Sequence, residues 1–235
     1  MKNLSGRSVN GTTDNMMMPA GRARVLITGA CRGVGRACAE EFSLRGAELV
    51  LADNDVSELG ELAKRLGGVG RYCDVASEAS VTVFAAEIMA RFPALDVIIN
   101  AAGGGYERTL GMYRVSRALL PALRKGDLHN LLLNIPPAEE DAATAIFPYA
   151  SSQQAFQRLC SALAAETRGS SVRVLIGCSQ AQHIFEVLPD RNAAHSGAAA
   201  FVPHHDNVDE GGLAADIAAL LDQAGHSSKS ARKAG

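Results

Sequence analysis

Short β-type runs alternating with helix-period segments predict an α/β chain, a doubly wound parallel sheet of about six strands with helices on both faces. Two further observations agree. The candidate strands are almost continuously apolar, as strands covered on both faces must be, and a glycine-rich turn stands at the first strand-to-helix junction.

The elements follow in order. Arg24–Thr28 is the first strand, and Val34–Leu44 carries apolar residues at helical intervals with Gly46 as its stop. Glu48–Ala52 is a strand and Val56–Leu66 a helix closed by Gly67 and Gly68. Arg71–Cys73 is a short strand, Ser77–Arg91 a helix, and the Val- and Ile-rich run Leu95–Asn100 a strand. Leu110–Arg124 is helical, Leu131–Ile135 a strand, Tyr149–Thr167 a helix, Val172–Ile176 a strand and Leu213–Leu221 a last helix. Gln180 to Asp209 is the exception: it holds Ala, His and Pro without clear periodicity and is read as a long irregular segment, which leaves a seventh strand in doubt.

At 235 residues the chain suits one domain, placed at residues 21–224 between a polar lead-in (1–20) and a loose tail (225–235). A net charge of −2 speaks against a nucleic-acid footprint, which needs concentrated Lys and Arg. No apolar run approaches the roughly 20 residues needed to span a bilayer. The 5 cysteines show no C-x-x-C spacing, so reduced thiols and a cytoplasmic location are expected.

The run Thr28-Gly29-Ala30-Cys31-Arg32-Gly33-Val34-Gly35 links the first strand to the first helix. Glycines at these spacings allow a tight turn and let backbone N–H groups approach a diphosphate, while the helix start adds free donors and partial positive charge. This is the phosphate turn of a Rossmann-type unit. Asp53 closes the second strand, where an acid can accept both ribose hydroxyls of an adenosine. That favours NAD(H), because a 2′-phosphate there would face a carboxylate. Arg32 argues the other way, since a guanidinium beside the turn could pair with a 2′-phosphate, and it keeps NADP(H) open as the alternative.

From about Arg22 to Leu221 the order of motifs resembles the short-chain dehydrogenase/reductase family. The pattern Thr-Gly-x-x-x-Gly-x-Gly is matched at Thr28, Gly29, Gly33 and Gly35. The adenine-contacting Asp-Val is matched by Asp74-Val75, and the Asn-Asn-Ala-Gly motif by Asn100-Ala101-Ala102-Gly103. The resemblance makes Tyr149 the catalytic tyrosine and implies a nicotinamide dinucleotide, a small carbonyl or alcohol substrate, and a homodimer through the 110–124 and 149–167 helices.

The departures cluster where that chemistry would occur. The family's lysine, four residues after the tyrosine, is Gln153 here; its serine position holds Pro136; its asparagine position holds Arg108. Gly177-Cys178 replaces a Pro-Gly. A tyrosine without a nearby cation stays protonated at neutral pH, so Tyr149 is expected to serve as an acid in carbonyl reduction and poorly as a base in alcohol oxidation. Pro136 offers no donor in place of the serine hydroxyl, and a lost oxyanion donor costs about 10²–10³ in rate. Weak or altered hydride transfer follows, or no catalysis at all, with the dinucleotide pocket kept for sensing or assembly. Ser151, Ser152 and Arg108 are candidate compensations, though a helix face and a solvated loop arginine is the simpler reading. Tyr113 to Arg117 mimics a Tyr-to-cation spacing on a different helix and is read as packing or surface.

Two weaker signals complete the reading. His204, His205 and Asp206, with His183 and His195, suggest a metal, but adjacent histidines in an extended segment point apart. Cys31 lies at a helix start, where a thiolate is favoured, so redox sensing stands beside the simpler role of a small residue filling the turn.

Overall fold

The computed structural model describes residues 23–102, 105–127, 130–136, 149–178, 183–188 and 200–203. Strand–helix units run β1 (Arg24–Thr28), α1 (Gly33–Leu44), β2 (Glu48–Asp53), α2 (Val56–Leu66), β3 (Val69–Tyr72), α3 (Glu78–Arg91), β4 (Val97–Asn100), α4 (Gly105–Leu123), β5 (Leu131–Asn134), α5 (Tyr149–Glu166) and β6 (Arg173–Cys178). Two more strands follow, β7 (His183–Leu188) and β8 (Ala200–Pro203).

The apolar strands are continuous because successive residues feed two cores. Val25 and Ile27 of β1, Leu49 and Leu51 of β2, Val97 and Ile99 of β4, and Leu131 and Leu133 of β5 pack on one face under α1 and α2. Leu26, Val50, Ile98 and Leu132 point the other way, under α3, α4 and α5. With both faces covered, neither set of alternate positions can be polar without losing roughly 1.5–3 kcal/mol per large side chain.

The sheet order is β3-β2-β1-β4-β5-β6-β7-β8. The strands from β3 to β6 are parallel, and the chain reverses its direction of travel across the sheet between β1 and β4. In open α/β sheets ligands bind outside the carboxyl ends of the strands at this reversal. Here those ends are Thr28 and Asn100, paired side by side.

Two expectations are corrected. The sheet is wider than six strands, because the segment read as irregular holds β7 and β8, both antiparallel to their neighbours. The run His183-Ile184-Phe185-Glu186-Val187-Leu188 has β-type residues, but it pairs directly with β6 and needs no crossover helix to announce it. Arg173 and Glu186 clamp that pairing with two hydrogen bonds, at 3.1 and 2.7 Å. The second correction is that α4 starts at Gly105 rather than Leu110, so Arg108 stands on a helix and not in a loop. The expected helix 213–221, both tails, Gly103 and residues His195, His204, His205 and Asp206 lie outside the described residues, as do the side chains of Tyr149, Ser151, Ser152 and Gln153. Among the described residues no helix is long and apolar enough to cross a membrane, and no cluster of metal-ligating side chains forms.

Candidate functional site

The carboxyl ends of β1, β2 and β4 open onto one cleft of about 620 Å³, counting its open mouth. Its lining comprises Gly29, Arg32, Asp53, Asn54, Cys73, Asp74, Val75, Ala101, Ala102 and Arg108. The turn after β1 depends on two glycines. Gly29 has φ 66°, and a Cβ there would lie 2.6 Å from the Cα and N of Ala102. A Cβ on Gly35 would lie 2.1 Å from the Gly29 carbonyl oxygen. The first turn of α1 is thus pressed against the phosphate turn, which in turn is pressed against the end of β4. The first N–H groups of such a helix have no partners within it, and they are the natural ligands of an anion.

Two acids staple this turn to the β2–α2 junction. Asp53 Oδ2 accepts the Cys31 N–H at 3.0 Å, and Asp53 Oδ1 accepts the Asp55 N–H at 3.1 Å. Asp55 Oδ1 accepts the Glu58 N–H at 3.2 Å, which caps α2, and Asp55 Oδ2 accepts from the Arg32 guanidinium at 3.1 Å. A carboxylate has about four lone-pair sites, so Asp53 keeps capacity for two hydroxyl donors after its two backbone bonds.

Beneath the cleft lies a buried polar cluster. Asn100 Nδ2 donates to Ser116 Oγ and to Asn134 Oδ1, both at 2.9 Å, and Ser116 Oγ donates to the Met112 carbonyl at 2.7 Å. Thr28 Oγ1 reaches Asn100 Oδ1 at 3.4 Å. Thr28, Asn100, Ser116 and Asn134 are all buried. The cluster locks the ends of β1, β4 and β5 to α4.

The profile of short chain dehydrogenases matches residues 23–181. The chain belongs to that family. The chain is 28% identical over 180 residues to the mouse protein dehydrogenase/reductase SDR family member 7B, an overlap of 66% of this chain and 56% of the mouse protein. It is 29% identical over 191 residues to L-fucose dehydrogenase from Bos taurus, covering 72% and 69% of the two chains. The chain therefore spans little more than half the length of the first of these relatives. Among solved structures it resembles a metagenomic short-chain oxidoreductase in complex with NADP, with a TM-score of 0.63, 22% identity, and coverage of 87% of this chain and 92% of that one. A short-chain dehydrogenase from Streptomyces avermitilis gives a TM-score of 0.61 at 23% identity over 86% and 85% of the chains. Those two likenesses speak for the fold alone.

Of the residues singled out in the sequence, the structure brings Gly29, Arg32, Asp53, Asp74, Val75, Ala101, Ala102 and Arg108 to the cleft. Thr28 and Asn100 sit beneath it in the polar cluster, and Gly33, Val34 and Gly35 open α1. Pro136 lies two residues beyond the end of β5, half-buried, while Tyr149 and Gln153 belong to the opening turns of α5. Tyr113 and Arg117 are surface partners, as expected: the Tyr113 hydroxyl donates to Glu166 at 2.9 Å, and the Arg117 guanidinium lies 5.6 Å from the Tyr113 ring centre. On α5, Phe156, Leu163 and Ala164 are buried in the chain's own core.

Sequence reasoning missed Asp55, Ser116 and Asn134. Asp55 had a signal: an acid three residues before Glu58 at the head of an apolar period is a capping pattern. Ser116 and Asn134 had none, because their partners are remote in sequence.

At Cys31 the structure favours the simpler of the two readings, a small residue filling the turn, over a reactive thiolate. Cys31 is buried, and burial, followed by the Asp53 carboxylate, pushes its thiol from 9.0 up to about 12. Burial likewise pushes Cys38 and Cys73 up to about 12, and raises Cys160 further. The helix-start effect is outweighed by desolvation and by an adjacent carboxylate. Two consequences are measurable. Iodoacetamide at pH 8 should leave Cys31, Cys38, Cys73 and Cys160 unmodified in the native protein and label all four after denaturation, as read by peptide mass spectrometry. Raised thiol values stabilise the fold fully below the unfolded value of 9.0, so stability should fall as pH climbs from 9.0 towards 12. Rapid native labelling at Cys31 would contradict this account.

Proposed function

We propose that this short-chain dehydrogenase binds NAD(H) in the cleft at the ends of β1, β2 and β4 and reduces a small carbonyl compound weakly, with Tyr149 as its acid. The observation that carries the cofactor reading is Asp53, a half-buried carboxylate at the end of β2 that shares the cleft with the phosphate turn. Gly29, Gly35 and the start of α1 would hold the diphosphate, and Asp53 the adenosine ribose. Asp74 and Val75 line the same cleft on the side the resemblance gives to adenine.

The preference for NAD(H) over NADP(H) rests on magnitudes. Like charges about 4 Å apart repel by about 4 kcal/mol at an effective dielectric of 20. An exposed guanidinium returns roughly 0.2–1 kcal/mol from an ion pair, and the Arg32 side chain is 83% exposed. The carboxylate wins.

When bound, the nicotinamide supplies the hydride. Tyr149 would hand its phenolic proton to the substrate oxygen and regain one from water, so a ketone becomes an alcohol. With Gln153 at the lysine position, no ammonium is present there to favour tyrosinate, which suits the reductive direction. Arg108 contributes positive charge to the cleft wall from the first turns of α4. A homodimer through α4 and α5, in the cytoplasm, belongs to the same reading.

A second reading is favoured by Pro136, which has neither an N–H nor a hydroxyl to offer an oxyanion: the chain keeps the dinucleotide pocket without catalysis. One experiment separates them. NADH is titrated by fluorescence, and its oxidation is then followed with a panel of ketones and quinones. Slow turnover that disappears in Tyr149→Phe supports the reductase; binding without turnover, the same in Tyr149→Phe, supports the second reading. Asp53→Ala should weaken NADH binding at least tenfold, about the worth of one charged hydrogen bond. An unchanged affinity would remove Asp53 from the ribose site.

A further inference from the structure

Strand pairing brings together two chemistry-bearing residues that the cleft does not use. β6 and β7 run antiparallel, and Cys178 stands directly opposite His183 in their register. Directly opposite residues in such a pair have Cβ atoms about 4.5–5.5 Å apart. Val174 and Ile176 of β6 and Val187 of β7 belong to the core under α3, α4 and α5, and strand alternation puts Cys178 and His183 on that same face. Arg173 and Glu186 pair with each other on the opposite face, where Glu186 stands across from Leu175. Cys178 is the last residue of β6, so the pair stands at the carboxyl end of the sheet. α5 packs against both strands, and the crossover from β5 to β6 brings its first residue, Tyr149, to that same end. The first turn of α5 holds no acidic residue; Arg158 lies further along it, exposed, and Glu166 closes its far end. The neighbouring strands β5 and β8 carry no charged residue.

We propose that Cys178 is a nucleophilic cysteine with His183 as its base, and that it takes soft carbon electrophiles of the α,β-unsaturated carbonyl class. The inference is independent of NAD(H) binding. An imidazole opposite a thiol can accept its proton, and both a histidinium and a helix N-terminus favour the thiolate that results. A thiolate is a soft, polarisable nucleophile, which suits the β-carbon of an unsaturated carbonyl compound. Sulfur bonds to that carbon, the π pair of the C=C bond moves into an enolate, and the proton held by His183 passes to the α-carbon. A thioether forms, nothing leaves, and no oxidant is consumed. Two ligands fall short of the four that a structural zinc takes, so the pair fits a nucleophile better than a metal. Cys31, Cys38, Cys73 and Cys160 are buried with raised thiols, which makes them internal controls.

The test treats the full-length protein with N-ethylmaleimide and with cyclohexenone and locates the adducts by peptide mass spectrometry. Wild type, Cys178→Ser and His183→Gln are compared, with a thermal melt of each. At pH 7 the wild type should gain a single adduct, at Cys178, and the four buried cysteines should stay unmodified. The rate at Cys178 should rise with pH through a midpoint at or below about pH 7.5, under the ordinary thiol value of about 8.5. His183→Gln should slow the reaction at pH 7 about tenfold and return the midpoint to the ordinary value. Cys178→Ser should form no adduct. A native protein that gains no adduct at Cys178 overturns the proposal. So does a rate at Cys178 that is the same in His183→Gln, because His183 would then not be its base. Should the histidine variant unfold, the wild-type pH profile decides alone, and a midpoint at the ordinary thiol value overturns the proposal.

Discussion

Gly35→Ala should abolish measurable NADH binding and lower stability by about 3 kcal/mol, the upper range for overpacking a rigid site. The new Cβ would lie 2.1 Å from the Gly29 carbonyl oxygen and 2.8 Å from its carbon, both backbone atoms. No rotamer change can relieve a clash with backbone. The turn could retreat only towards the end of β4, where Gly29 is itself within 2.6 Å of Ala102 for any added carbon. The helix start must therefore lift away from the strand, and the N–H groups that would hold a diphosphate move with it. A control is available in α2, where a Cβ on Gly60 meets nothing within 4 Å. Gly60→Ala should leave binding intact and raise stability by about 0.5–1 kcal/mol through the helix-interior preference for alanine. Thermal melts and NADH titrations of both variants check the pair. A Gly35→Ala protein that melts within a few degrees of wild type and binds NADH normally would refute the packing argument.

Asn100→Leu should cost about 2–4 kcal/mol, seen as a lower denaturant midpoint with an unchanged slope. Leucine fills a similar volume, so the loss measures hydrogen bonds rather than a cavity. Asn100 Nδ2 serves Ser116 and Asn134 at once, and all three residues are at most 2% exposed. After the substitution Asn134 Oδ1 loses its donor within a fully buried side chain. Because the cluster ties β4 and β5 to α4, the same change should also loosen the floor of the cleft and weaken NADH binding. A loss below about 1 kcal/mol would mean that the cluster is softer than its geometry implies.

The parallel sheet was legible because covering both faces of a strand leaves a local mark. Leu131-Leu132-Leu133 cannot be a half-exposed strand, and such runs recur at intervals that leave room for a helix. The phosphate turn was legible for a related reason. Glycine is required there by contacts within a few residues, Gly35 against Gly29, and short-range necessity is written in short-range pattern. The strands β7 and β8 escaped because a hairpin on the sheet edge needs neither a crossover helix nor continuous apolar residues. Arg108 was assigned to a loop because the apolar period used to start α4 begins only at Leu110, whereas the helix itself begins at Gly105.

Local order along the chain thus determined the fold class, the mouth of the first crossover helix, and the acid at the end of the second strand. Tertiary structure alone decided what those residues face. A helix start by itself would favour a thiolate at Cys31, but the residue lies beside Asp53, which is distant in sequence and adjacent across the sheet. Asp55 acquired its partner Arg32, and Asn100 its partners Ser116 and Asn134, in the same way. Secondary structure follows from neighbours along the chain, which periodicity records. Burial, charge pairing and proton affinity follow from neighbours in space, and those exist only once the sheet has closed.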